Sequence, residues 1–270
     1  MAEEILCHPW KYQADPFCIA DNLYYVGNRD VSVHLVDTGD GLILIDTGYP
    51  QTVYLLLQSI WELGFDPRKI RYLILTHAHY DHIGGVRPLV ELFGCETFLG
   101  KEDATLLTTE SYLTWHSEFG MAYNEYFEPT HLLEDGEVIR LGNTEITAVH
   151  SPGHTPGTYS FFLYVEEKGR RYRAGMHGGI GLNTLQREYL EKYHLGNRWR
   201  EWYGESLSRL ERESVDILLG NHPGQNRTFE KYAARQAAPG CPNPFVDPDE
   251  WRRFLENTRR HYQALLQAEQ

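Results

Sequence analysis

Three imidazoles and one carboxylate fall within six positions in Thr76-His77-Ala78-His79-Tyr80-Asp81-His82, straight after the apolar run Tyr72-Leu73-Ile74-Leu75. Neutral imidazole and carboxylate are the usual nitrogen and oxygen donors to zinc, and at this density they point to a metal centre. In H-x-H-x-D-H, His77 and His79 at alternate positions can grip one ion, while Asp81 and His82 can face a second ion beside it. Two more histidines lie in turn-rich loops: His154 in Ser151-Pro152-Gly153-His154-Thr155-Pro156-Gly157, and His222 in Leu218-Leu219-Gly220-Asn221-His222-Pro223-Gly224. Buried without partners, such polar groups would cost about 1 to 3 kcal/mol each. A shared metal centre satisfies them together. His34, His116, His131, His150, His177 and His194, taken one by one, read as ordinary structural histidines.

The elements that must position these groups follow from the hydrophobic pattern. The run at 72–75 reads as a short buried strand, and Gly84-Gly85 lets the chain turn beyond the motif, so the ligands sit at a strand's carboxyl end. Before it, residues 16–20, 22–27, 31–37 and 41–46 read as an antiparallel meander. Alternation with Val33 and Leu35 predicts that His34 faces away from the core. Asp46 closes the fourth strand, where it either accepts the second ring nitrogen of a ligand histidine or caps a turn; spacing alone leaves both open. Val53, Leu56, Leu57, Ile60 and Trp61 give residues 51–63 the period of a helix packed on a sheet, stopped by Gly64.

Beyond the motif, a helix over 86–93, a strand at Cys95 and short helical pieces over 101–115 are expected. The aromatic, irregular stretch 122–134 should run near the mouth of the site. Strands at 139–141, 144–149 and 160–165 surround His154 and imply a second sheet, which a strand from Arg171 extends. The glycine-rich bend 174–181 reads either as a plain tight turn or as a wall of the cleft. Helices are expected over 185–192, 199–212 and 249–267.

A chain of 270 residues can bury a sizeable core, and one layered domain spanning 1–270 is the simplest reading. A net charge of -13 repels phosphate backbones, so nucleic acid is not an expected partner, whereas a small-molecule substrate is. No apolar run approaches the ~20 residues that span a bilayer. The acidic start has neither a basic nor an apolar leader region, which gives a cytoplasmic expectation, or a periplasmic or secreted one if a leader has been trimmed. Cys7, Cys18, Cys95 and Cys241 show no C-x-x-C spacing and are expected to be free, buried thiols. Nothing in the sequence fixes an oligomeric state.

The quoted residues resemble the metallo-β-lactamase superfamily: His77-x-His79-x-Asp81-His82, His154 in a Gly-His-Thr-Pro-Gly loop, and His222 late in the chain. The likeness is greatest to the third subclass of metallo-β-lactamases, through Trp10, Pro16-Phe17-x-Ile19, Asn22-x-Tyr24-Tyr25-Val26-Gly27, Leu42-Ile43-Leu44-Ile45-Asp46-Thr47-Gly48 and His222-Pro223-Gly224. This resemblance implies an α/β fold, a four-layer αβ/βα sandwich with two zinc ions at one edge of its two sheets. It implies His77, His79 and His154 as ligands of the first zinc, and Asp81, His82 and His222 as ligands of the second. Asp81 and His222 would also serve catalysis, and a hydroxide would bridge the ions.

Glyoxalases and most lactonases of the superfamily bridge their metals with an Asp between the third and last histidines. This chain has no Asp from 155 to 215, and Met176 stands about where that residue would be, a non-ligand. Met176, His177, Gln225 and Asn226 are expected at the substrate, with His177 open between a spare ligand, a proton donor and a surface residue. In place of the subclass's small hydroxyl residues, Gly224-Gln225-Asn226-Arg227 follows the last histidine; its amides could hold a carboxylate, and so could Arg227 if it faces the cleft. The implied activity is hydrolytic opening of a cyclic amide, a β-lactam, with a lactone or another ester as the alternative.

Overall fold

The structure is a computed structural model that describes residues 2–124 and 126–269. Its short apolar runs pair into two sheets. The first takes β1 (Phe17–Ala20), β2 (Leu23–Tyr25), β3 (His34–Asp37), β4 (Leu42–Ile45), β5 (Ile70–Ile74), β6 (Glu96–Gly100) and β7 (His131–Leu133) in chain order. β1 to β4 form the antiparallel meander, and β4 to β7 run parallel. The second sheet contains β8 (Val138–Leu141), β9 (Thr144–His150), β10 (Tyr159–Glu167), β11 (Arg170–Met176) and β12 (Ile217–Leu219), in the order β12-β11-β10-β9-β8.

The helices are α1 (Ala2–Cys7), α2 (Val53–Glu62), α3 (Tyr80–Ile83), α4 (Val86–Phe93), α5 (Arg187–Lys192), α6 (Arg198–Leu210), α7 (Thr228–Ala237) and α8 (Glu250–Ala268). None of them is long and apolar enough to cross a membrane.

Successive residues of each central strand point to opposite faces, and here both faces are buried. Ile43, Ile45 and Ile74 pack with Phe161, Leu163, Ile217 and Leu219 between the sheets. Leu42, Leu44 and Leu73 belong instead with Leu56 and Ile60 of α2 and Leu89 of α4. On the other sheet, Phe162 and Leu218 group with Leu207 of α6 and Leu255 of α8, and the Phe162 ring meets that of Trp251 at 5.7 Å. Each such buried side chain contributes about 1.5 to 3 kcal/mol, and together they fix the expected αβ/βα layering.

Several expectations are corrected. His34 pairs across the sheet with Tyr25 and Ile45, which lie in the core between the sheets, and it is itself fully buried. The alternation was real, but Val33 and Leu35 face the helices, so β3 has no solvent side to offer. Cys95 is buried as expected, whereas Cys7 and Cys241 are exposed. Residues 131–133 are not irregular but form the edge strand β7. Glu125 of that segment lies outside the described residues. Helix α7, which follows the His222 loop directly, has no counterpart in the sequence reading.

Candidate metal centre

The parallel strands β4 and β5 bring Asp46 and the 76–82 loop to one edge, β12 delivers Asn221 and His222 there, and the β9–β10 connection delivers His154. The six candidate ligands fall into two groups of three. His77, His79 and His154 offer donor atoms that lie within 4.8 Å of one another, and so do Asp81, His82 and His222. In the first group the three rings stand edge to face at centroid separations of 4.5 to 4.7 Å.

Hydrogen bonds set which nitrogen each ring turns inward. The His154 Nδ1 donates to the Gly181 carbonyl at 2.8 Å, and His222 Nδ1 donates to that of Asp30 at 2.7 Å. The Thr76 hydroxyl donates to Asp46, so it accepts from His77 Nδ1 at 3.0 Å. His82 Nδ1 donates to Asp46 Oδ2 at 2.8 Å. Their Nε2 atoms are thereby left as donors to an ion, each with its ring orientation fixed from behind. The Nε2 atoms of His77 and His79 are buried with no partner, which costs free energy unless a metal takes them.

Electrostatics agree. Burial holds His77 and His79 far below the ordinary histidine range and His154 down to about 4, so the first group is neutral imidazole, the form that binds metal. Burial would raise Asp81, but His82, His222 and His79 outweigh it and keep it a carboxylate. For His82, burial is opposed by the Asp81 and Asp46 carboxylates, which raise it to about 10, so metal uptake at this group releases a proton. His222 is the open member, with 38% of its side chain exposed, against 1% for His82.

Both groups open into a cavity of about 380 Å³, walled by Tyr49, Trp115, Phe119 and Ile180, with Asn183, Asn221 and Gln225 as its polar members. Trp115 sits at φ +67, a left-handed conformation rare for a bulky residue, stacked on Tyr189 at 5.0 Å and facing the His79 ring at 5.7 Å. The glycine-rich bend is a wall of the cleft: Ile180 and Gly181 line it, and a Cβ on Gly179 would lie 2.6 Å from the His154 ring. Only glycine lets the backbone back that imidazole so closely.

Of the substrate candidates, Gln225 lines the cavity, and its Oε1 accepts from Asn221 N. The others do not. Met176 is 1% exposed in the core between the sheets, because its place in β11 alternates inward. His177 is buried beneath Tyr203, outside both donor groups and off the cavity lining, so it is no surface residue either. Asn226 donates to the Leu218 carbonyl and accepts from Thr228, which anchors the start of α7. Arg227 is exposed away from the lining, and no described residue of 122–134 reaches it. Trp115 and Phe119, earlier in the chain than that stretch, hold that position. Sequence reasoning also passed over Tyr49, Asn183, Asn221 and the buried Asp103, whose partners lie far away in the chain.

Two three-donor groups at the edge of back-to-back sheets could each hold a metal ion. Residues 26–166 match the family described as the metallo-beta-lactamase superfamily, and the chain belongs to that superfamily. Its structure is similar to that of BJP-1, a subclass B3 metallo-beta-lactamase of Bradyrhizobium japonicum, with a TM-score of 0.87 and 27% identity over 97% of each chain. It is equally similar to the FEZ-1 metallo-beta-lactamase from Legionella gormanii, with a TM-score of 0.87 and 30% identity over 95% of this chain and 97% of that one. In sequence it is 30% identical over 133 residues to the hydroxyacylglutathione hydrolase GloC of Haemophilus influenzae, a match that spans 49% of this chain and 61% of that enzyme.

Proposed function

We propose that the protein is a dinuclear zinc hydrolase that opens cyclic amides, with β-lactams as its substrate class. The observation that carries this reading is the division of six donors into two groups of three at one cavity. The likeness to BJP-1 and FEZ-1 over nearly the whole chain supports it. Zinc bound at these groups would lower the pKa of a water to about 7 and polarise the scissile carbonyl.

The chain's own residues do the rest. Neutral His77, His79 and His154 would hold a first ion without reducing its charge, whereas Asp81 would reduce that of a second, held with His82 and with His222, whose side chain is partly exposed. Tyr49, Trp115 and Phe119 pack the apolar parts of a substrate and exclude water, and the Gln225 amide, whose Oε1 is taken by Asn221 N, offers its N–H group to a polar part of it.

A second reading, hydrolysis of a lactone or another ester, is favoured by the sequence likeness to GloC. Steady-state kinetics on one zinc-loaded preparation separate the two. Nitrocefin should give a kcat/KM at least about tenfold above those of an acyl-homoserine lactone and S-lactoylglutathione, about 1.4 kcal/mol of transition-state preference. Faster turnover of either ester would replace the first reading with the second.

A further inference from the structure

Asp103 lies just beyond β6, at the start of a 3-10 turn over Asp103–Leu107, and has no exposed surface. Its hydrogen bonds go to residues beside the candidate ligands and not to the ligands themselves. Its Oδ2 accepts from Ala78 N at 2.8 Å and from the Thr155 hydroxyl at 2.7 Å, and its Oδ1 accepts from Gly157 N at 2.6 Å. Ala78 separates His77 from His79, and Thr155 follows His154. One carboxylate therefore holds both loops that carry the three-histidine group, at points one residue away from each ligand.

We propose that Asp103 is a positioning residue that clamps these two loops into the geometry one metal ion requires; this rests on the reading of His77, His79 and His154 as a metal site. Three observations converge on it. The three bonds are all from neutral donors, so the carboxylate is buried without a cation, an expensive arrangement that a purely packing role would not need. The approach is close enough to demand glycine opposite: a Cβ on Gly157 would lie 2.7 Å from Asp103 Oδ1. Besides the carboxylate, the two segments are joined by the backbone bond from Tyr159 N to Thr76 O at 2.8 Å, which includes none of the three ligand residues. Burial pushes the Asp103 carboxyl up to about 6 in spite of its three donors, which fits a group held in place at a cost.

Asp103→Asn is a demanding test because it keeps the shape. Either orientation of the amide sets a donor against a donor, at Gly157 N or at Ala78 N, and breaks one arm of the clamp. Zinc affinities are measured by competition with a chromophoric chelator on wild type, Asp103→Asn and Thr155→Val, the last of which removes a single arm. Wild type should hold two zinc ions, and Asp103→Asn should weaken one site about tenfold or more while leaving the other within about threefold. Thr155→Val should weaken the same site by less.

In a His222→Ala background, where only the three-histidine group is complete, Asp103→Asn should weaken the site that remains. Equal weakening of both sites, or unchanged affinities, overturns the proposal. If Asp103→Asn does not fold, an unchanged Thr155→Val overturns it alone. A wild type that binds no zinc would sink the metal-site reading as well, whereas two zinc ions with an indifferent Asp103 sinks only this inference.

Discussion

His82 Nδ1 donates to Asp46 Oδ2 at 2.8 Å, and the same carboxylate takes the Thr76 backbone N and hydroxyl, the latter in contact with His77 Nδ1. One buried side chain thus orients a histidine of each metal group, directly for His82 and through a hydroxyl for His77. Asp46 sits at φ +62, a conformation that Asn also tolerates, so Asp46→Asn changes the hydrogen bonding without straining the backbone. It should lower zinc affinity about 10- to 100-fold, more at the group containing His82 than at the other. Chelator competition on the variant measures this, and wild-type affinity at both groups would show that Asp46 is a turn residue only.

The sequence showed most of this frame because local chemistry wrote it. Alternating Ile and Leu in 42–45 and 73–75 carry their structural meaning within a few residues. The ligands were legible for the same reason: a dense motif and two rigid loops need no partner to be noticed. Asp103 was not, because its meaning lies in contacts 25, 52 and 54 residues away. His34 and Met176 failed differently. Each was judged by one periodicity or one positional analogy, while what places them is a second sheet packed on the first, which no local pattern reports.

Met176→Leu should be nearly silent. The side chain lies in the core between Phe161 and Leu219 on neighbouring strands, off the cavity, and a volume-conserving swap there costs under about 1.5 kcal/mol. Zinc content by metal analysis and kcat should both match wild type. Loss of one zinc equivalent would mean that the sulfur reaches the metals.

His34 predicts a pH effect on stability. Burial pushes it down to about 3 from the ordinary 6.5, and neither ring nitrogen has a partner. Below 6.5 the unfolded chain takes a proton that the folded one refuses, so stability that is full above that pH falls as the pH drops toward 3. His34→Leu removes this penalty. Compared by urea unfolding of the metal-free proteins, the variant should gain about 2 kcal/mol more over wild type at about pH 5 than at about pH 8. A difference that stays flat with pH would mean that His34 can be protonated in the folded state.

The last prediction concerns His222, the half-exposed member of the group with Asp81 and His82, where every other ligand is buried. Its ring is held by a single backbone bond, to the Asp30 carbonyl, and its Nε2 lies 3.5 Å from Asp81 Oδ2. His222→Ala leaves two donors in that group and leaves the His77, His79 and His154 group complete. The variant should therefore retain one zinc equivalent where wild type holds two. The interaction lost lies at the cavity's open side and, in the proposed reaction, strengthens as charge develops on the departing atom; such a loss lowers kcat by orders of magnitude and changes KM little. Metal counting and steady-state kinetics on this variant decide the matter. Loss of both zinc ions together would make His222 part of one coupled site, and an unchanged kcat with a raised KM would assign it to substrate binding.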